Sequence, residues 1–226
     1  MKEISLQAKI SVAELPWQLS QGNETPNGPG SSLEATKDVR EHLPKIFKEF
    51  NIQSMMDAAC GDWNWMKEVD LEGITYHGYD IMPEFIEDNE EQFKKENVHF
   101  EVKDVTLEEL ESNVDLVMCR DFLMHIKWDK IKKMISNFKI SGAKYLFVSN
   151  FSNYDSHNDD YAIAVHPGDV GLNIENYSGD PEWGWRPVNL HLEPFNFPEP
   201  VYEFVETDGN CGGRSMCLWK LEDIEI

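Results

Sequence analysis

Five short apolar runs, Ile52 to Met56, Ile74 to Tyr79, Val98 to Val102, Val114 to Cys119 and Tyr145 to Val148, are separated by stretches of helical length, notably Pro83 to Glu96 and Lys127 to Phe138. Strands that alternate with helices must run parallel, because each crossover carries the chain back across a face of the sheet. A further helix is expected ahead of them, since Val39, Leu43, Ile46, Phe47 and Phe50 recur at helical spacing and stop at Asn51.

After Asn150 the alternation ceases. About fifty residues rich in Asn, Asp, Gly, Pro and aromatics precede two last runs, Val201 to Glu206 and Ser215 to Leu221, which read as an antiparallel hairpin turning through Asp208-Gly209-Asn210 and Gly212-Gly213. The expected fold is therefore α/β: a doubly wound, seven-stranded, mostly parallel sheet closed by a C-terminal antiparallel hairpin. We divide a single domain, 1–226, into an N-terminal arm and loop (1–34), a cofactor-binding core (35–149), a substrate-cover insert (150–200) and the terminal hairpin (201–226). A connection as long as 150–200 is usually functional in a compact domain.

Composition narrows the function. Acidic residues outnumber basic ones 42 to 20, for a formal net charge of -22, and no basic stripe occurs to neutralise phosphates, so nucleic acid is not an expected partner. No apolar run approaches the ~20 residues that span a bilayer, and Met1-Lys2-Glu3-Ile4 opens no signal pattern; neither membrane association nor export is expected, and the location expected is cytoplasmic. Cys60, Cys119, Cys211 and Cys217 contain no Cys-x-x-Cys pair and read as reduced thiols. Asp155-x-His157-x-Asp159 is read as a solvated acidic loop, and no metal is expected. The oligomeric state is not legible.

The turn after the first run reads Asp57-Ala58-Ala59-Cys60-Gly61-Asp62-Trp63-Asn64-Trp65-Met66, small residues followed by a helical pattern beginning near Trp63. Small residues let a backbone pass close under a ligand. The other runs also end in polar residues: Tyr79-Asp80-Ile81, Lys103-Asp104-Val105 and Cys119-Arg120-Asp121. In an open α/β sheet the ligand sits at these carboxyl ends. Asp80 lies nineteen residues beyond Gly61, the spacing at which a carboxylate accepts both ribose hydroxyls of a nucleoside. A pyrophosphate cofactor such as NAD shares that feature, but Asp62 and Trp63 would repel and obstruct it.

The turn resembles the first motif of class I S-adenosylmethionine-dependent methyltransferases, acidic-x-Gly-x-Gly-x-Gly, of which Gly61 keeps the middle glycine while Ala59 and Trp63 replace the others. The resemblance is strongest from Met55 to about Ser149. It implies S-adenosylmethionine as cofactor, with Asp57, Ala59 and Gly61 along its methionyl part, Asp80 and Ile81 at the ribose, Asp104 and the amide of Val105 at the adenine, and Cys119 and Arg120 nearby. Pro29-Gly30-Ser31-Ser32 resembles an upstream Gly-Ser loop of the same class, which puts Ser31 at the cofactor carboxylate. A plain turn at 57–66, a linker at 29–32 and a helix-capping Asp104 are the competing structural readings.

Asp121 and His125 leave the fourth strand four residues apart, on one face if the segment is helical, and either can take a proton from a hydroxyl. They are the candidate catalytic residues. In the insert, aromatics interleaved with amides and imidazoles suit a sugar or nucleotide sugar, and Asn150, Trp185, Arg186, Asn189 and His191 are the candidate acceptor-binding residues. The run Gly184 to Pro200 also resembles tails of bacterial methyltransferases linked to surface polysaccharide synthesis. The expected reaction is methyl transfer to an oxygen of a small, sugar-like acceptor. A NAD-binding oxidoreductase and a non-catalytic cofactor- or partner-binding domain stay open as rivals.

Overall fold

The structure, a computed structural model, describes residues 22–110, 113–154, 187–207 and 213–226. Seven strands form one sheet in the order β3-β2-β1-β4-β5-β7-β6: β1 Ser54–Ala58, β2 Thr75–Asp80, β3 Val98–Val102, β4 Leu116–Cys119, β5 Tyr145–Asn150, β6 Tyr202–Val205 and β7 Ser215–Lys220. β1 to β5 are mutually parallel, and β7 enters antiparallel between β5 and β6. This is the expected mostly parallel sheet with its closing hairpin; the turn at 208–212 lies outside the described residues.

Among the described residues, three α-helices flank the sheet, α1 Lys37–Glu49, α2 Pro83–Phe93 and α3 Trp128–Ile140. Alternate residues of each strand serve opposite cores. Met55, Leu116, Met118, Phe147, Met216 and Leu218 face α1 through Val39, Leu43, Ile46 and Phe47. Met56, Ala58, Val117, Leu146, Val148 and Cys217 face α3 through Ile131, Met134, Ile135 and Phe138. Each fully buried aliphatic or Phe side chain contributes roughly 1.5–3 kcal/mol of burial, so both faces are needed to hold the strands.

Two local expectations fail for identifiable reasons. β1 starts two residues later than the apolar run, because the amide of Ile52 is taken by the carbonyl of Phe47 at 2.8 Å and that of Gln53 by Asp115 Oδ2 at 2.8 Å. No α-helix follows β1. Ala59, Gly61 and Trp63 all have positive φ (71°, 59° and 56°), a conformation that cannot propagate a right-handed helix, and only a 3-10 turn, Met66–Glu68, forms.

The end of the long insert is core rather than cover. Val188, Leu190, Phe195 and Phe197 are buried with α3 and β7, and the Nε1 of Trp219 donates to the carbonyl of Pro198 at 2.7 Å. Residues 155–186 lie outside the described part. No helix among the described residues is long and apolar enough to cross a membrane.

Candidate active site

The carboxyl ends of β1, β2 and β4 bring together Asp57, Gly61, Asp80 and Asp121, with the Gly28–Leu33 loop against them. Gly61 is fixed from three directions. Its amide donates to Asp80 Oδ2 at 2.9 Å, its carbonyl accepts from Asn89 Nδ2 of α2 at 2.8 Å, and a β-carbon on it would stand 2.4 Å from Asn27 Nδ2. The amides of Ala59 and Cys60 both donate to the Tyr79 carbonyl at 2.9 Å. The amides of this turn are therefore engaged inside the fold, and the side chain lying against Gly61 is Asn27. Asn27 Nδ2 and Thr25 Oγ1 in turn donate to Asp62, each at 2.7 Å.

Asp80 is buried and uses one oxygen for Gly61 and the other for the amide of Met82 at 2.9 Å. A carboxylate oxygen has a second lone pair, so the geometry leaves acceptor capacity for a diol. Burial pushes Asp80 up to about 6; the backbone amides of Met82, Gly61 and Ile81 oppose it, and the charge of Asp62 adds to it. Asp57 is buried with its Oδ2 accepting the Tyr76 hydroxyl at 2.7 Å. Burial pushes it up to about 7, partly countered by that hydroxyl and reinforced by Asp80. Two buried carboxyl groups with raised pKa form a site that a bound cation would stabilise.

Asp104 accepts from the Thr106 amide at 3.0 Å and the Thr106 hydroxyl at 2.6 Å through Oδ1, and its own amide donates to Glu108 Oε1 at 3.0 Å. It caps the turn after β3, as the competing reading allowed, and its Oδ1 is the oxygen so engaged. Val105 is buried beside Tyr79 in the α3-side core. Ser31 closes a 3-10 turn, Pro29–Ser31, and its carbonyl accepts from Asn64 Nδ2 at 3.2 Å, which ties the Gly-Ser loop to the β1 turn.

At the exit of β4, four charged side chains from three segments meet, with Arg120, Glu206 and Arg214 buried and Asp121 half-buried. Arg120 donates to Glu206 Oε1 through Nε at 3.1 Å and Nη2 at 2.9 Å, and to the Gly30 carbonyl through Nη1 at 2.8 Å. Arg214 bonds Glu206 through Nε and Asp121 through Nη1. Arg120 Nη1 also lies 3.3 Å from Asp121 Oδ2. The Arg120 side chain is thus committed within the fold, and only its backbone is left to border a ligand. Cys119 is fully buried in β4, and burial pushes its thiol up.

Asp121 has φ 56°, which turns the chain out of the sheet, and its amide donates to Ser149 Oγ at 2.9 Å. Burial alone would raise its pKa, but the charges of Arg120, Arg214 and His125 outweigh it and hold the carboxyl below its ordinary value. Asp121 is consequently a weak proton acceptor. The segment 121–126 holds a 3-10 turn, Leu123–His125, rather than an α-helix, and His125 at its end is half-buried, close enough to Asp121 to influence its charge.

Of the acceptor-binding candidates, Asn150, Asn189 and His191 are brought together by the 189–191 segment. Asn150, wholly buried, accepts the Leu190 amide at 2.8 Å through Oδ1, and Asn189 donates to the Tyr154 carbonyl at 3.1 Å; both fasten the two ends of the insert. His191 sits against Trp219, with ring centroids 5.8 Å apart. Trp219 pairs with Leu146 near the start of β5, whereas the carboxyl edge is at Asn150. His191 is itself joined to that edge, since its amide donates to Asn189 Oδ1 at 3.0 Å and the neighbouring Leu190 amide donates to Asn150 Oδ1. Trp185 and Arg186 lie outside the described residues. Sequence reasoning missed Arg214 and Glu206, whose only local signal is charge beside a strand, and Asn27, hidden in a stretch of turn formers.

Residues 55–140, well under half of the chain, match the family model described as "Methyltransferase domain". Among solved structures, the chain is similar to the N-methyltransferase NodS from Bradyrhizobium japonicum WM9 (9% identity, 84% of this chain and 98% of that one, TM-score 0.55). It is similar also to magnesium protoporphyrin IX methyltransferase from Synechocystis PCC 6803 with bound SAH (18% identity, 82% of each chain, TM-score 0.51). A third is human N-acetylserotonin methyltransferase in complex with SAM (16% identity, 95% of this chain and 67% of that one, TM-score 0.51). Two other methyltransferase structures are matched over about half their length, 49% and 48%. No curated protein matches the sequence. At these identities the likeness is one of fold.

Proposed function

We propose that this chain, which carries the methyltransferase-domain pattern over residues 55–140 within the matching seven-stranded fold, transfers the methyl group of S-adenosylmethionine to an oxygen of a small, sugar-like acceptor. The observation that carries the reading is the acidic cradle at the carboxyl edge. Buried Asp57 and Asp80, pushed up to about 7 and about 6, favour a ligand bearing a sulfonium and an ammonium, and a pyrophosphate would meet Asp62 and Asp80 instead of free amides. The residues present fit that cofactor. Asp80 and Ile81 would hold the ribose, Asp104 and Val105 the adenine, Asp57, Ala59 and Gly61 the methionyl chain, and Ser31 its carboxylate, with the backbone of Cys119 and Arg120 alongside.

The bound cofactor supplies an electrophilic methyl group, and the chain's part is alignment and removal of one proton. His125 is the better base. Asp121, ion-paired with Arg120 and Arg214, serves by stabilising the imidazolium that forms when His125 accepts the hydroxyl proton. The sugar-like acceptor rests on the interleaved Trp185, Arg186 and Asn-rich stretch of the insert, Asn150 and Asn189 acting as its anchors. The neighbours named above include an N-methyltransferase, which makes the acceptor atom the first thing to test.

Calorimetric titration with S-adenosylmethionine, S-adenosylhomocysteine and NAD, followed by transfer of labelled methyl to nucleotide sugars and to amine analogues, tests the proposal. Binding of the first two but not NAD is expected, with label on oxygen. Binding of NAD alone overturns the reading. His125→Asn should lower turnover by ~100- to 10,000-fold with cofactor affinity unchanged.

A further inference from the structure

We propose that His77 and His99 form a binding site for a divalent transition-metal ion, on the face of β2 and β3 opposite α2. The two residues are direct register partners on adjacent parallel strands. Their rings lie 5.4 Å apart, centroid to centroid, and are tilted by 35°. Two imidazoles bound to one tetrahedral ion through bonds of about 2.1 Å hold their ring centres about 5 Å apart, so the pair is spaced for chelation without moving either backbone. Both side chains are half-buried, open enough for an ion to enter and fixed enough to limit the entropy lost on binding.

The strand period decides which face they share. His77 and Tyr79 of β2 stand beside His99 and Glu101 of β3, while Tyr76, Val98 and Phe100 point the other way with Ile86 of α2. α2 therefore covers the opposite face. Glu101 is exposed, paired with Lys103 at 3.3 Å, and Lys103 lies over the Tyr79 ring. Among the described residues no cluster of three or more His, Cys, Asp and Glu is close enough to hold an ion by itself, so the protein contributes two nitrogens and water the remaining ligands. The ligand class is set by chemistry: imidazole selects Cu(II), Zn(II) and Ni(II) over Mg(II) and Ca(II), with Cu(II) the tightest. A net charge of -22 raises the local concentration of cations. Bound there, an ion would tie edge strand β3 to β2 three residues before Asp80, independently of any methyl transfer.

The test is titration of the full chain with Cu(II) and Zn(II), followed by calorimetry, with the electron paramagnetic resonance spectrum of the Cu(II) form. One tight equivalent is expected, showing nitrogen hyperfine structure from two imidazoles, and the His77→Gln/His99→Gln double variant should lose affinity on the order of tenfold or more. Should the double variant not fold, His99→Gln alone on the edge strand is read the same way. In the wild type, sub-stoichiometric Cu(II) should broaden the ring proton resonances of His77 and His99 before those of the other five histidines. Equal affinity in wild type and variant, or earlier broadening of any other histidine, overturns the proposal.

Discussion

Asp80 and Gly61, nineteen residues apart in sequence, meet at 2.9 Å between carboxylate Oδ2 and backbone amide. The same carboxylate accepts from Met82 on its other oxygen, so one side chain sets the shape of the β1 turn, the exit of β2 and, on our reading, the ribose subsite. Asp80→Ala should weaken S-adenosylhomocysteine binding by about 1.5–3 kcal/mol, the worth of hydrogen bonds to a charged group. It should also lower the thermal midpoint, because two buried amides lose their acceptor. Calorimetry and a melting curve on the same sample check both. A lower midpoint with full affinity would leave Asp80 a purely structural residue.

Gly61 gives a sharper contrast. At φ 59°, with Asn27 Nδ2 2.4 Å from where a β-carbon would stand, Gly61→Ala suffers twice: the left-handed conformation costs roughly 1–2 kcal/mol, and Asn27 must move. The double variant Gly61→Ala/Asn27→Gly removes the collision and keeps the conformational cost. Its midpoint should lie between those of the single variant and the wild type, as thermal unfolding will show.

What the sequence made legible follows from the range of the interactions. β3 and the β6–β7 hairpin are announced by their own residues, and the mostly parallel run of the sheet follows from the alternation of strands and helices. The start of β1 was not legible, because Asp115, sixty-two residues away, takes the amide of Gln53. Nor was the missing helix after β1: Trp63 is forced to positive φ in a turn whose neighbours Asp62 and Asn64 are held by Thr25, Asn27, Glu24 and Ser31. Nor was the place of His191 legible, because the buried Phe195 and Phe197 that follow it are set by tertiary packing.

Asp57 makes stability depend on pH. Its folded pKa, raised to about 7 chiefly by burial, exceeds the ordinary carboxyl value near 3.9, so the folded state binds more protons than the unfolded state between those limits. Stability contributed by this group therefore falls as pH rises through that window, by up to about 1.4 kcal/mol per unit. Asp57→Asn should raise the thermal midpoint at pH 8 and leave it unchanged near pH 4. A cationic cofactor draws the same carboxyl back to its ionised form, so its affinity for the wild type should increase from pH 5.5 to 8 while that of Asp57→Asn stays flat. Melting curves and calorimetry at those pH values test each half.

Glu206 is the hinge of the buried charge cluster. Burial raises its pKa against the pull of Arg120 and Arg214, and both of its oxygens are occupied, Oε1 by Arg120 and Oε2 by Arg214. Through Arg120 it reaches the Gly30 carbonyl, which lies 90 residues before Arg120 along the chain, and through Arg214 it reaches Asp121. Removing one partner of such a pair leaves an uncompensated charge in the interior, which typically costs 3–5 kcal/mol. Glu206→Ala should accordingly be strongly destabilised, whereas the paired variant Glu206→Gln/Arg214→Met, which removes one charge of each sign, should recover part of the loss and allow the cofactor site to be assayed. In that variant Asp121 keeps only Arg120, so its carboxyl should titrate higher than in the wild type, a change readable from its side-chain carbonyl resonance against pH. An unchanged Asp121 titration would show that Arg214 does not hold its charge, and would reassign the exit of β4 to Arg120 alone.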